Sequence, residues 1–512
     1  MLSIHQSPAF APPPAAFNMA AHVLAHADRL SDRSALQIVG PSGAERWSFG
    51  RLAAAVRGTG AGLLKAGLVP GDRVLLRLGN TPEFPVAFLG AIAAGLVPVP
   101  TSPQLTGEEI TKMAAQISPA AVVAGEGISL PDNPRMILTE TDLRGFEALP
   151  PCDYQMVSPD RLAYIVFTSG TSGSARAVCH AHRAIWARQM MHDGWYGLSS
   201  SDRLLHAGAF NWTYTLGTGL MDPWTVGATA LIPAPGVDPA MLPLLLRRFD
   251  VTIFAAVPGV YRQLLKHHQT LNLPRLRHGL SAGEALPALT RRHWTDASGT
   301  PIFEALGMSE CSTFISSCPM HPAPEGTMGW PQAGRHVAVL SPEGVPVPRG
   351  EPGDLSVHCT DPGLFLGYWG AEAEARAKFT PDGQWFRTGD IVTMTEAGAI
   401  TYQGRVDDMM NAGGFRVSPL EVEAAMVTCP DAGEVAAVEL RISEETSLVA
   451  LAHTGSASEE ALSTHAAAHL ARYKQPRIYR QFPALPRNRN GKIDRKTLRN
   501  TWPELAGSGA SQ

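Results

Sequence analysis

The sequence is poor in the features that mark zinc-binding, secreted or membrane-embedded proteins. Its six cysteines are scattered and no C-x-x-C pair occurs. This pattern argues against a zinc site and a disulfide framework, and it is typical of a reducing compartment. The N-terminus lacks a basic segment followed by an apolar core, so we expect no secretory signal. These absences together predict a cytoplasmic protein.

Long hydrophobic runs and an excess of charge of one sign are also missing. The longest uncharged stretch begins at Phe84, and its apolar part ends at Pro100 in V-P-V-P. It is too short for a membrane span and carries helix-breaking prolines, so a buried helix followed by a strand is expected. The formal net charge is −4 and no long single-sign block occurs. We therefore expect a soluble protein with no membrane span and no nucleic-acid partner.

The sequence does contain enough apolar material for a large core. Of its 512 residues 45% are hydrophobic, and this length exceeds what one core usually spans, so several domains or subdomains are expected. Helical and strand patterns alternate, as in the amphipathic segment Phe49–Lys65 followed by the strand-like Arg73–Leu78. This alternation indicates α/β units with mostly parallel sheets.

The pattern changes in the last third of the chain. From about Gly350, short β-like runs separated by glycine and proline predict a small barrel-like unit. After Gly404, a predicted helix at Pro419–Val427 and strands such as Val435–Arg441 indicate a small α+β domain. The expected fold class is therefore α/β, with a hinge before a small C-terminal domain. The predicted boundaries are 1–403 for the N-terminal domain, 404–408 for the hinge and 409–512 for the mobile C-terminal domain.

The most informative motif is Y-I-V-F-T-S-G-T-S-G-S-A-R, from Tyr164 to Arg176. An apolar strand runs into seven residues that are all Thr, Ser or Gly. Such a loop can turn several N–H groups and hydroxyls toward one point and form a concavity for phosphate oxygens. The Walker pattern G-x-x-x-x-G-K-[ST] is absent. Taken alone, the motif leaves a flexible Gly/Ser loop as the alternative.

Five motifs, in order, resemble those of the adenylate-forming superfamily, which includes acyl-CoA synthetases, luciferases and peptide-synthetase adenylation domains. They span almost the whole chain: T-S-G-T-S-G-S-A-R (168–176), L-G-M-S-E (306–310), Q-W-F-R-T-G-D (384–390), G-R-V-D-D (404–408) and N-G-K-I-D-R (490–495). Leu306 and the segment S-A-G-E-A-L-P (281–287) look most like the sequences of the benzoate-CoA ligase branch. The resemblance implies that ATP activates a small carboxylic acid as an acyl-adenylate, whose acyl group then passes to coenzyme A.

The resemblance also implies roles for single residues. Lys492 would place a mobile ammonium between the carboxylate and phosphate oxygens, and Glu310 would be a hard oxygen ligand for Mg²⁺. Asp390 would accept hydrogen bonds from the ribose hydroxyls, and Arg405 would donate to phosphate or ribose. Thr171 completes the predicted catalytic set. Outside the family pattern, these residues would be ordinary surface charges and turn residues.

Larger sets follow from the same motifs. The predicted ATP- and AMP-binding residues are Thr168, Ser169, Gly170, Thr171, Ser172, Gly173, Arg176, Ser281, Ala282, Gly283, Glu304, Ala305, Leu306, Gly307, Met308, Ser309, Asp390, Arg405 and Lys492. The predicted acyl pocket contains Phe210, Trp212, Tyr214, Ser281 and Gly307, although aromatic residues at such spacing are more often plain core. The predicted CoA tunnel contains Gly413, Gly414 and Phe415, and the hinge residue is Asp407.

The chain departs from the family pattern at four positions. Arg176 stands in place of the usual Lys and Ala175 in place of Pro, which still leaves a cation beside the triphosphate. Leu306 replaces the aromatic residue that stacks on adenine, so apolar packing is expected there. Ser309 replaces Thr and keeps the hydroxyl. None of these changes removes the predicted chemistry.

Three other functions are compatible with the motifs. A stand-alone adenylation enzyme would load the pantetheine arm of a carrier protein through the same tunnel. A luciferase-like oxygenase would share the adenylation step. A catalytically silent nucleotide-binding or scaffold protein would not need the charged residues Glu310, Asp390, Arg405 and Lys492. The predicted partners are a small carboxylic acid, ATP with Mg²⁺, and CoA. The sequence leaves open which acid is used and whether the chain forms a homodimer, the commonest homo-oligomer.

Overall fold

The computed structural model describes residues 1–169, 175–412, 415–442, 447–487 and 492–504. The strands of the described residues are β1 Ile4–Gln6, β2 Ser34–Gly40, β3 Gly43–Ser48, β4 Arg73–Arg77, β5 Val97–Pro100, β6 Ala121–Ala124, β7 Ile137–Thr139, β8 Leu162–Ser169, β9 Ala175–Ala181, β10 Arg203–His206, β11 Thr229–Pro233, β12 Ile253–Ala256, β13 His278–Ala282, β14 Ile302–Met308, β15 Ser312–Ser316, β16 Trp330–Pro331, β17 His336–Leu340, β18 Pro352–His358, β19 Gly367–Tyr368, β20 Trp385–Met394, β21 Ile400–Arg405, β22 Met410–Ala412, β23 Phe415–Val417, β24 Val435–Arg441, β25 Ser447–His453 and β26 Ile478–Gln481.

The α-helices of the same residues alternate with these strands. They are α1 Met19–Val23, α2 Phe49–Lys65, α3 Glu83–Ala93, α4 Gly107–Ile117, α5 Glu140–Glu147, α6 Arg183–Ala187, α7 Asp222–Val226, α8 Leu242–Arg248, α9 Pro258–His267, α10 Ala288–Ser298, α11 Glu372–Arg376, α12 Pro419–Met426, α13 Glu459–His469 and α14 Arg495–Glu504. The expected α/β class is confirmed. The predicted segment Phe49–Lys65 is helical over its full length because the Ser48 side chain caps it by accepting from Arg51 N.

The chain divides into two compact units. The larger unit comprises His5–Val337 and Val357–Phe386, and the smaller comprises Met1–Ile4, Ala338–Ser356 and Arg387–Gln512. The boundaries at 1–403 and 404–408 that the sequence suggested stay a prediction.

The larger unit is built on a nine-stranded sheet in the order β16-β15-β14-β13-β12-β10-β11-β2-β3. Its inner strands from β14 to β2 are parallel, while β15, β16 and β3 are antiparallel additions at the two edges. One face is buried by a cluster around Phe254 and Trp294, and the other by a cluster around Trp195 and Leu204. Cover on both faces explains why these strands are continuous apolar runs.

Smaller sheets complete both units. A parallel sheet β5-β4-β6-β7 and an antiparallel sheet β19-β9-β8 belong to the larger unit. The strands β1-β17-β18-β20-β21 form a five-stranded sheet in which β20 and β21 are antiparallel, and β24-β25-β26 form the sheet of the α+β tail. Within the described ranges, none of the helices combines the length and apolarity that a bilayer crossing requires. The predicted cytoplasmic location stays a prediction.

Candidate active site

Three of the segments singled out in the sequence share one edge of the nine-stranded sheet. His206–Gly217 begins at the last residue of β10, Ser281–Glu284 spans the carboxyl end of β13, and Phe303–Gly307 forms most of β14 itself. These strands are parallel and are neighbours in the order β14-β13-β12-β10. Ligands of parallel α/β sheets bind at this end of the strands. The fold therefore places the predicted adenine and acyl segments at the expected location for a ligand.

A small cavity connects two of the predicted segments. Its volume is about 20 Å³, enough for roughly one water molecule. Thr213 from the predicted acyl segment and Ser309 from the L-G-M-S-E motif both line it, together with Tyr164 and His180. The two segments therefore border the same small cavity.

The strands that flank the predicted phosphate loop form a hairpin. β8 and β9 pair in antiparallel register, with Thr168 opposite Arg176. The residues Gly170, Thr171, Ser172 and Gly173 lie outside the described residues. Arg176 forms an ion pair with Glu374, and its guanidinium lies 5.5 Å from the centroid of the Tyr368 ring. The guanidinium of Arg176, the predicted phosphate-binding cation, thus lies at the end of the hairpin next to the loop.

Glu310 lies in the tight turn between β14 and β15, and other segments hold it. The Tyr368 hydroxyl donates to Glu310 Oε1 over 2.8 Å, and Phe365 N donates to the Glu310 carbonyl over 2.7 Å. Burial and the neighbouring Glu310 raise the pKa of Tyr368 well above its usual range, so the hydroxyl remains a donor. Sequence reasoning missed Tyr368, which lies in the unremarked stretch L-F-L-G-Y-W.

The three aromatic candidates for the acyl pocket differ in their surroundings. Phe210 is fully buried and packs on Phe84 at a ring distance of 5.4 Å. Tyr214 packs on His206 and donates from its hydroxyl to Leu280 O over 3.2 Å. Trp212 is only partly buried. Phe210 and Tyr214 therefore have clear packing roles, and Trp212 is the better candidate for contact with a substrate.

Glu304, in the predicted adenine segment on β14, is held by buried contacts. Its carboxylate accepts from Leu286 N over 2.7 Å and from Arg291 over 2.6 Å, and burial raises its pKa to about 7. Its main-chain carbonyl accepts from Ser317 N over 3.2 Å, so both the side chain and the main chain of Glu304 are fixed within the sheet. Its neighbours Ala305, Leu306 and Met308 continue the same strand.

Two small residues at this edge have geometry that suits a binding wall. Within the described part of the chain, the buried Ser281 Oγ has no hydrogen-bond partner, and Ala282 and Gly283 follow it at the strand end. A Cβ on Gly307 would lie 2.2 Å from Ser312 O, so only glycine fits beside the antiparallel strand.

The smaller unit contains a second group of predicted residues around Asp390. Asp390 and Arg405 are directly paired on β20 and β21, and Arg405 Nη1 donates to Asp390 Oδ1 over 3.0 Å. Tyr402, which sequence reasoning missed although it lies in T-Y-Q-G-R, donates to the same oxygen over 3.4 Å. Asp354 Oδ1 accepts from Gly389 N over 3.0 Å and holds the backbone of β20 next to Asp390.

The pKa of Asp390 is subject to opposing influences. Burial raises the pKa of Asp390, while Arg405, Tyr402 and the positive charge of Lys492 act to lower it. Lys492 is exposed and belongs to the same compact unit as Asp390. The predicted catalytic lysine and the predicted ribose-binding carboxylate therefore influence each other electrostatically.

The remaining predicted residues lie in and after the proposed hinge. Asp407 is exposed in a short 3₁₀ turn, Val406–Asp408, and Met409 N donates to Arg405 O over 3.0 Å across it. Phe415 pairs with Ala412 in the hairpin β22–β23. Gly413 and Gly414 lie outside the described residues.

Comparison with known proteins identifies the family. Residues 23–369 match the AMP-binding enzyme family, and residues 421–492 match the family of the AMP-binding enzyme C-terminal domain. The chain is 30% identical to the 3-hydroxybenzoate–CoA ligase of Aromatoleum sp. (strain CIB), over 92% of this chain and 94% of the relative. It is also 30% identical to the benzoate–CoA ligase of Thauera aromatica, over 89% and 90%.

A solved structure agrees with these relatives. A benzoate CoA ligase from Burkholderia xenovorans LB400 superposes with a TM-score of 0.83 and 27% identity, over 94% of this chain and 100% of that one. The chain therefore belongs to the AMP-binding enzyme family, and the resemblance drawn from its five motifs is confirmed. Adenylate-forming CoA ligases of this family use ATP and CoA as substrates.

Proposed function

We propose that this protein is an AMP-forming carboxylate–CoA ligase. It activates a small hydrophobic acid, which is aromatic, alicyclic or of short to medium chain length, as an acyl-adenylate and transfers the acyl group to CoA. The observation that supports the proposal is that two predicted segments, His206–Gly217 for the acid and Ser281–Glu284 for adenine, leave the carboxyl ends of parallel strands in one sheet. The relatives named above are ligases of 3-hydroxybenzoate and benzoate, and they support an aromatic acid as the first choice of substrate.

In the first half-reaction, a carboxylate oxygen attacks the α-phosphate of ATP and pyrophosphate leaves. Two anions approach each other in this step, and negative charge accumulates on the phosphoryl oxygens. Lys492 stabilises that charge, while Arg176 and the loop from Gly170 to Gly173 hold the phosphates. Asp390 and Arg405 hold the ribose.

Mg²⁺ accompanies ATP in this proposal, and Glu310 is the residue that would bind it. Across the described residues, no group of three or more His, Cys, Asp or Glu side chains is arranged to hold a metal ion. Mg²⁺ is usually held by nucleotide phosphates and water with only one or two protein carboxylates, and Glu310 would supply one. Bound there, the ion would neutralise phosphate charge.

In the second half-reaction, the CoA sulfur attacks the carbonyl of the acyl-adenylate, a thioester forms and AMP leaves. The tail 409–512 reorients about Asp407, so that Lys492 withdraws and the thiol enters past Gly413 and Gly414. Positions without a Cβ let the pantetheine arm approach closely. No side chain is assigned as a base for the thiol.

The experiment that tests the function is a panel of carboxylic acids, each incubated with ATP and Mg²⁺ with and without CoA. We expect acid-dependent pyrophosphate and AMP formation that is highest for aromatic acids, and a CoA thioester as the final product. Thioester on a carrier-protein pantetheine but not on free CoA would instead identify a carrier-loading enzyme. Absence of pyrophosphate release with every acid would contradict the proposal.

Acid selectivity gives a second test, at Trp212. Replacing Trp212 with alanine enlarges the proposed pocket, so bulkier acids should gain relative to benzoate by about 10-fold in kcat/KM, while the requirement for ATP stays. Phe254→Leu is the matched control, since Phe254 packs on Trp294 in the core, and it should lower the thermal stability without changing the acid profile. An unchanged profile in Trp212→Ala would remove this residue from the pocket.

A further inference from the structure

A buried ion pair lies behind the turn that carries Glu310. The Arg188 guanidinium donates from Nε to Asp222 Oδ1 over 2.8 Å and from Nη2 to Asp222 Oδ2 over 2.5 Å. Both side chains are buried, and Arg188 Nη2 also donates to the hydroxyl groups of Tyr196 and Thr218. The pair is thus held in one orientation on every side.

A glycine makes room for this pair in the wide helical turn Thr215–Met221. A Cβ on Gly217 would lie 2.2 Å from Arg188 Cζ, which is closer than any real contact. The guanidinium therefore packs directly on the backbone of that turn. With Nε and Nη2 bound to Asp222, Nη1 is directed to another element.

The target of Nη1 is the hydroxyl of Ser312, the first residue of β15. Ser312 has φ of 63°, in the left-handed region that favours glycine. Short hairpin loops commonly end on such a residue, and glycine is the usual choice. Serine at this position is explained by its hydroxyl, which joins the backbone turn to the buried pair.

Other contacts fix the rest of the same turn. His180 Nε2 lies 2.8 Å from Ser309 O, and Arg335 donates to Thr313 O over 3.0 Å from a second fully buried ion pair, with Asp361. Glu310 lies between these anchor points. Three buried side chains, Arg188, His180 and Arg335, therefore fix the backbone on both sides of Glu310.

We infer that Arg188 is a positioning residue: through Ser312 it holds the turn Ser309–Cys311 so that Glu310 faces the nucleotide-bound Mg²⁺. This inference rests on the proposed function, in which Glu310 binds the ion. Residues that orient a metal ligand typically change metal affinity by about 10-fold or more when removed. Loss of the Ser312 hydroxyl should therefore weaken Mg²⁺ binding.

The test uses two substitutions at Ser312 that leave the Arg188–Asp222 pair in place. Ser312→Ala removes the hydroxyl and keeps the left-handed strain, and Ser312→Gly removes both. For each, Mg²⁺ is titrated into the enzyme with an ATP analogue that cannot release pyrophosphate, and binding is followed by calorimetry. We expect both variants to bind Mg²⁺ about 10-fold more weakly than the native protein.

Ser316→Ala is the matched control on the same strand. Its hydroxyl donates to Gly194 O over 2.7 Å and accepts from Gln332 over 3.0 Å, so its loss also removes buried hydrogen bonds. It should lower Tm to an extent similar to Ser312→Ala and leave Mg²⁺ affinity unchanged. An equal loss of Mg²⁺ affinity in Ser316→Ala would overturn the inference, since general destabilisation would then explain the effect.

Glu310→Gln separates this inference from the proposed function. If it weakens Mg²⁺ binding and the Ser312 variants do not, the positioning role is wrong and the function stands. If Glu310→Gln binds Mg²⁺ normally, the proposed metal role is wrong and the positioning role is wrong with it. If Ser312→Ala is affected and Ser312→Gly is not, backbone strain is responsible and the inference is again overturned.

Discussion

Replacing Lys492 with alanine should abolish acid-dependent pyrophosphate release and leave the second half-reaction largely intact. In the proposed mechanism, the lysine stabilises charge only while the carboxylate attacks the α-phosphate. Removing one such group typically costs about 3 kcal/mol of transition-state stabilisation, so adenylation should fall by at least ~100-fold. Thioester formation from supplied acyl-adenylate and CoA should remain within a few-fold of the native rate.

The measurement is a pair of assays on the same enzyme preparation, one for each half-reaction. Lys496→Ala is the matched control, because it removes the same charge from an exposed position four residues further along. We expect both assays to remain near native values in that variant. If Lys492→Ala slowed the two half-reactions equally, the residue would have a general role and the assignment would be wrong.

Local signals in the sequence predicted much of the fold. The helix Phe49–Lys65 has the predicted limits and begins directly after the cap at Ser48, and strand β24 has the predicted limits Val435–Arg441. Such features depend on neighbours within a few residues. The order of the nine-stranded sheet depends on contacts between distant segments, and it was outside the reach of these signals.

In the candidate site, too, residues within local motifs were predicted and contacts between distant segments were not. Asp390 and Arg405 were predicted because each lies in a recognisable motif, and they lie opposite each other on adjacent strands. The pair of Arg188 with Asp222 was missed, since the two residues are 34 positions apart and each resembles an ordinary surface charge in the sequence. A buried partner is a property of the fold. The unusual Ser312 was also missed, because a left-handed φ on serine has no clear local signature.

The second large effect is expected at the proposed hinge. Proline at position 407 fixes φ near −65°, a value that the 3₁₀ turn Val406–Asp408 already tolerates. Pyrophosphate release should therefore stay within a few-fold of native. In the proposed mechanism, thioester formation requires the tail to reorient about this residue, and we expect a loss of about 100-fold because misplaced reactants react far more slowly.

Asp407→Ala distinguishes torsional freedom from charge. It removes the same exposed carboxylate and keeps the backbone free to rotate, so it should complete both half-reactions at near-native rates. The decisive quantity is the ratio of CoA consumed to pyrophosphate released in a single turnover, which should collapse for Asp407→Pro only. A proline variant that consumes CoA as fast as it releases pyrophosphate would place the rotation elsewhere, because restricting φ at a true hinge must slow the step that depends on it.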